Sequence, residues 1–125
     1  MNETNTWFEF AKQDLQMAKL ALGESIYNQV CFHSQQAVEK LIKGVIDKSK
    51  TLPPRTHKIA DLIVVAKLNI SIELAAELVS LDRFYIPTRY PNALPGMLPY
   101  GLPSEKDANE ALAVAKNLFE AMDVE

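Results

Sequence analysis

His33, Gln36, Lys40 and Lys43 follow one another at intervals of three and four residues, so on a helix they line up as one row along its surface. An imidazole, a neutral amide and two ammonium groups set in such a row could together address an anionic oxygen, either carboxylate or phosphate. The competing reading is structural: a lone histidine hydrogen-bonded at a core edge, with the two lysines forming a solvated flank. His57 is the second and last histidine of the chain. Arg89 and Tyr90 fall inside a proline-rich stretch, where a stiffened backbone pre-positions the arginine and its fork of donors suits a carboxylate or a phosphate. An ion pair, with Asp14 as the other half, would serve instead to pin that stretch to the rest of the chain.

The other motif classes are absent. No glycine-rich phosphate loop, no His or Cys pair at metal-ligand spacing and no serine in a nucleophile-elbow setting occurs. The reading therefore names no catalytic residue, no metal and no cofactor. Cys31, the single cysteine, falls beside an apolar stripe and reads as a small buried filler, since a nucleophile would want exposure and a lowered pKa. One cysteine also excludes a disulfide framework within the chain and favours a reducing compartment.

The elements that must hold these residues can be read from periodicity. Residues 27–50 carry Val30, Ala37, Val38, Leu41, Ile42, Val45 and Ile46 on one side of a helix, with the polar row along its flank. Gly44 lies inside that helix without a turn signal, which implies that something packs close to it. A capping box of Thr6 and Glu9 opens an earlier helix running to residue 22 or 23. Its inward face should hold Trp7, Phe10, Ala11, Leu15, Ala18, Ala21 and Leu22, with Asp14 in the middle of that face. Burying a lone carboxylate is expensive, so Asp14 either finds a cationic or hydrogen-bonding partner or sits half-exposed at the stripe's edge.

The short turn at residues 23–25 should fold these two helices into an antiparallel hairpin. After two prolines, Thr56 reads as the N-cap of a short helix over about 57–67, with Ile59, Leu62, Ile63 and Ala66 inward. Ser71 opens a fourth helix to about residue 85, marked by Leu74, Leu78, Leu81 and Tyr85. Prolines then fall at 87, 91, 95, 99 and 103, which no helix interior accepts. This loop is too apolar for a free linker and should fold over the body of the domain or over a partner chain. Ser104 and Asp107 start the last helix, whose stripe of Ala108, Ala111, Leu112, Ala115, Phe119 and Met122 is narrow and mostly small.

With 125 residues, 48% hydrophobic content and four glycines, the chain suits one domain spanning 1–125. The expected fold is all-α: an up-and-down helical bundle of four principal helices plus a short one, with the long Pro-rich loop before the last helix. A net charge of −3 argues against holding nucleic acid through a broad basic face. The start of the chain is polar and acidic, and no apolar run approaches ~18 residues, so neither export nor a membrane span is expected and the cytoplasm is the natural compartment.

Four fragments taken together resemble a known family. They are "W..FAK.DL..A" from Trp7, "CFHSQQAVEKLIKG" from Cys31, "PPRTHKI.DL" from Pro53 and "Y...RYPN" from Tyr85. In this order they are similar to the HEPN domain in its small single-domain prokaryotic form. The resemblance implies a homodimeric bundle and a minimal nucleotidyltransferase as partner, in a two-component system of toxin–antitoxin type. It also implies that a nucleotide is a candidate ligand, and that metal-independent ribonuclease activity occurs among relatives. Those ribonucleases carry an arginine followed four to six residues later by a histidine, and no histidine follows Arg83 or Arg89 here. The matching polar positions are His33, Gln36, Lys40, His57, Arg89 and Tyr90, while Asn92 stands where an aspartate is common.

Three readings follow. In the first, a homodimeric module binds a nucleotide, another phosphate-bearing ligand or the partner protein, through Asp14, His33, Gln36, Lys40, His57, Arg89 and Tyr90. The second is a divergent ribonuclease using His33 or His57 as general acid or base and Arg89 for charge stabilisation. In the third, the polar row only registers helices and loop at an interface, and every polar group is satisfied within the protein.

Overall fold

A computed structural model describes residues 6–85, 98 and 101–123. Helix α2 (Tyr27–Lys48) is the axis around which the others pack. Along it, Val30, Cys31, Ala37, Val38, Leu41, Ile42 and Ile46 are all buried. Full burial of each large aliphatic among them stabilises by about 1.5–3 kcal/mol, so this one stripe dominates the core.

Helix α1 (Thr6–Gly23) lies antiparallel against α2, joined by a turn in which Ser25 takes a left-handed φ of 61°. Ala11 and Ala18 are fully buried at the contact, and their small side chains let the helices approach closely. Gly44 serves the same approach from the α2 side. A Cβ there would lie 2.5 Å from the Phe8 ring, so the mid-helix glycine answers to packing.

On the other side of α2 lie α3 (Ile59–Ala66), α4 (Ile72–Ser80) and α5 (Glu105–Ala121). Ser71 caps α4 by accepting from the Leu74 amide at 3.0 Å. The helix then tightens into a 3₁₀ turn over Leu81–Phe84 that buries Leu81 and Phe84. Ser104 and Asp107 form a complete capping box on α5. Among the described residues there is no β-strand, only an antiparallel bridge between Leu98 and Gly101, so the fold is all-α.

Three local expectations need correction. Phe10 does not point inward: it is 49% exposed, because it stands at the edge of the arc centred on Ala11 and Ala18. Thr56 does not cap α3, which starts at Ile59. Its hydroxyl instead accepts from the Lys58 amide and donates to Asp61. The exposed donors of α3 are met by Asp82, whose carboxylate accepts from Ile59 N at 2.8 Å and Ala60 N at 3.4 Å. Lys43 is no solvated flank but is buried. The returning end of the Pro-rich loop rests on this chain's own core through Leu98 and Pro103, both buried.

Candidate functional site

The polar residues of α2 divide into two groups, one on each flank of the helix. Facing α1, His33 and Lys40 are seven residues apart and so stand on one line two turns apart. Both reach Asp14. Its Oδ1 meets His33 Nδ1 at 2.9 Å and its Oδ2 accepts from Lys40 Nζ at 2.5 Å. Asp14 is 8% exposed. Burial pulls its carboxyl upward, but the hydrogen bonds and charges of His33 and Lys40 outweigh that and hold it below the usual range. Aromatic edges close the group: the Phe32 ring lies edge-on to His33, and the Phe10 ring is 6.0 Å from the Lys40 ammonium. That contact is the reason an exposed Phe10 remains useful where it is.

Toward α3, the organising carboxylate is Glu39. It accepts from Lys43 Nζ at 2.9 Å and from Gln35 Nε2 at 3.3 Å, and meets His57 Nδ1 at 3.1 Å. Gln35 also donates to the His57 carbonyl at 3.3 Å, and Gln36 donates to Gln35 Oε1 at 2.6 Å. The Trp7 ring covers Lys43 at 5.5 Å. The His57 ring stacks on Tyr85, centroids 4.4 Å apart. Burial, with the Glu39 charge adding to it, pushes the Tyr85 hydroxyl upward and keeps it a neutral donor.

Each carboxylate thus takes one lysine ammonium and one histidine Nδ1. In the neutral imidazole the Nδ1–H donates to the carboxylate, which leaves the lone pair on Nε2. The His57 side chain is half-exposed, so its Nε2 is the more accessible of the two bases. Lys40 and Lys43 are committed to Asp14 and Glu39, so an incoming anion would compete with a carboxylate already in place.

Of the residues expected from sequence, Asp14, His33 and Lys40 come together as one group. Gln36 and His57 belong to the second group, and the two histidines do not share a carboxylate. Arg89 and Tyr90 lie outside the described residues. Gln35, Glu39 and Tyr85 were missed, and Lys43 was placed in the row but not in the site. The spacing of Gln35, Glu39 and Lys43 at four-residue steps was the available signal. Cys31 is fully buried, and burial, with the Asp107 charge adding and Arg83 opposing, pushes its thiol up to about 12. It is held as a packing residue. Among the described residues no three His, Cys, Asp or Glu side chains converge as metal ligands would, and no helix is long and apolar enough to cross a membrane.

Fold and site define a small all-α domain whose polar side chains are gathered along its central helix. The chain belongs to the HEPN domain family, which matches residues 4–124. It is 29% identical over 123 residues to the protein named "Putative toxin MJ1304" of Methanocaldococcus jannaschii, covering 90% of this chain and 80% of that one. Two crystal structures share the fold. ST0689, an archaeal HEPN homologue, superposes with a TM-score of 0.76 at 29% identity, over 98% of this chain and 97% of that one. TT1696 from Thermus thermophilus superposes with a TM-score of 0.75 at 32% identity, over 98% of both chains.

Proposed function

We propose that this chain is the HEPN half of a toxin–antitoxin type pair, acting in the cytoplasm as a homodimer with a minimal nucleotidyltransferase as its partner. The observation that carries this reading is the outer face of α1. Phe10 and Met17, two turns apart, are 49% and 48% exposed, and Leu20 is exposed beside them. They border a polar row that is already satisfied within the chain, so the binding energy this face offers is chiefly apolar. The likeness to a relative named as a toxin supports the same reading.

The test is the mass in solution of the wild type and of Met17→Glu, alone and co-expressed with a minimal nucleotidyltransferase. The wild type should be a dimer, and Met17→Glu should be a folded monomer or lose the partner. A dimer that keeps its partner despite this charge would sink the assignment of the face.

A second reading, a nucleotide held at the α2 row, is favoured by the half-open His57–Tyr85 stack, which offers a base a surface to lie on. Thermal shift against ATP, GTP, their monophosphates and short RNA tests it. A ligand at a hundred times its Kd stabilises by ~2.7 kcal/mol, and His57→Ala and His33→Ala should abolish that shift.

A further inference from the structure

On the side of α1 turned away from Phe10 and Met17, a groove of about 440 Å³ opens between α1 and α5. It exists because α1 packs along α2 and touches α5 far less. The half-buried Leu15 and the buried Phe119 give it an apolar floor. Exposed side chains form the walls, Lys12, Gln16 and Lys19 from α1 and Lys116 and Glu120 from α5.

These lysines differ from Lys40 and Lys43, which are committed to buried carboxylates. Lys12 has a single carboxylate partner, Glu9 on its own helix at 3.5 Å, with both side chains well exposed, a pair worth little against solvent. Lys19 and Lys116 have no carboxylate partner among the described residues. Against them the groove sets one acid, Glu120. In a chain of net charge −3, a concave surface with three cations and one anion is a local reversal of field, complementary to an acidic partner.

The spacing selects the form of that partner. Lys12 and Lys19 are seven residues apart, on one line of α1 with Cα atoms about 10.5 Å apart, and Leu15 and Gln16 fill the interval. This order of cation, apolar floor and cation has the repeat of a second helix laid alongside. Carboxylates at its positions i and i+7 would face Lys12 and Lys19, and apolar side chains at i+3 and i+4 would meet Leu15 and Phe119. A single-stranded nucleic acid would find less here. Its bases need an aromatic face to stack on, and Phe119, the aromatic of the groove among the described residues, is 4% exposed.

We propose that the α1–α5 groove docks an acidic amphipathic helix of a partner protein. Two carboxylates one heptad apart pair with Lys12 and Lys19, a third reaches Lys116 across the groove, and the apolar side chains between them cover Leu15 and Phe119. The groove shares no residue with the face of Phe10, Met17 and Leu20, so the two assignments stand or fall separately.

Fluorescence anisotropy of labelled synthetic peptides, titrated with the full chain at low ionic strength, tests it. The first peptide is a designed helix with glutamates seven residues apart and two leucines between them. A second has lysines in place of the glutamates, and a third has serines in place of the leucines. The first should bind, and the other two should bind about tenfold more weakly or worse. The double variant Lys19→Glu/Lys116→Glu should lose the acidic peptide and gain the lysine peptide, an exchange that a loss of folding cannot produce, while keeping the helical content and solution mass of the wild type. Absence of binding by the acidic peptide, or binding that the double variant retains, would overturn the proposal. So would a single-stranded RNA of equal charge that binds as tightly, since the groove would then select polyanions in general and not a helix.

Discussion

Asp14 of α1 and Lys40 of α2 meet at 2.5 Å across the helix pair, and His33 occupies the carboxylate's other oxygen. This carboxylate titrates below its ordinary range in the folded chain, so the folded state holds it ionised more firmly than the unfolded state does. Its contribution is present above the unfolded value of about 3.9 and is lost as pH falls through the folded pKa. Asp14→Asn should lower stability at neutral pH by about 1–3 kcal/mol, because Lys40 and His33 lose their charged acceptor. Urea denaturation of both proteins across the acid range checks the sign: the gap should close as pH falls. A gap that stays constant would assign the loss to packing.

Asp82 should behave in the opposite way. Burial and the charges of Glu39 and Asp61 lift its carboxyl above the usual range, against the two α3 amides that pull it down. The folded chain then binds this proton more tightly than the unfolded chain. Stability from Asp82 therefore rises as pH falls through the folded pKa and is complete below the unfolded one. Asp82→Asn keeps an acceptor for Ile59 and Ala60 without the charge, and should leave the melting temperature at neutral pH unchanged or slightly raised. Asp82→Ala removes the cap of α3 and should cost about 1 kcal/mol. Equal losses in the two variants would show that the charge itself is needed there.

Helical periodicity alone places Ala11, Ala18 and the buried stripe of α2, and the cost of an unpaired carboxylate is enough to expect a partner for Asp14. Which partner was not legible, because it depends on the register of α1 against α2. Lys40 falls opposite Asp14 only once Phe8 meets Gly44. Glu39 and Lys43 look from sequence like an ordinary solvated pair of a helix surface. They are buried because Trp7 arrives from α1 over Lys43 and His57 arrives ahead of α3 against Glu39, with Tyr85 stacked on the His57 ring. Likewise the cap of α3 comes from Asp82, more than twenty residues downstream, a relation that no local motif encodes.

The Glu39–Lys43 pair gives the sharpest energetic prediction. Both side chains are nearly buried, at 4% and 8% exposure. Glu39→Leu alone leaves an ammonium group in that environment and should destabilise by about 3–5 kcal/mol. The double variant Glu39→Leu/Lys43→Met removes both charges and replaces them with apolar volume, so it should recover most of that loss. Denaturant unfolding of the four proteins of this cycle measures the coupling. A double variant as unstable as Glu39→Leu would mean that the loss comes from Gln35 and His57, not from a stranded charge.

Gly44→Ala sets two effects of known sign against each other. Alanine in a helix interior is favoured over glycine by about 1 kcal/mol. The added Cβ, however, would stand 2.5 Å from two atoms of the Phe8 ring and 3.1 Å from Trp7 Cβ. Phe8 lies in the first turn of α1, so relief requires either rotating its ring or tilting that turn, and a tilt draws Trp7 away from the Lys43 ammonium. Overpacking of this kind costs about 1–3 kcal/mol, which exceeds the gain in propensity, so Gly44→Ala should be less stable than the wild type by about 1 kcal/mol. Shrinking the obstruction should reverse the order. In a Phe8→Ala background the alanine at 44 meets no ring, and the double variant should be more stable than Phe8→Ala alone. Thermal unfolding of the three variants decides it, and a Gly44→Ala protein more stable than the wild type would show that α1 yields at its first turn without loss.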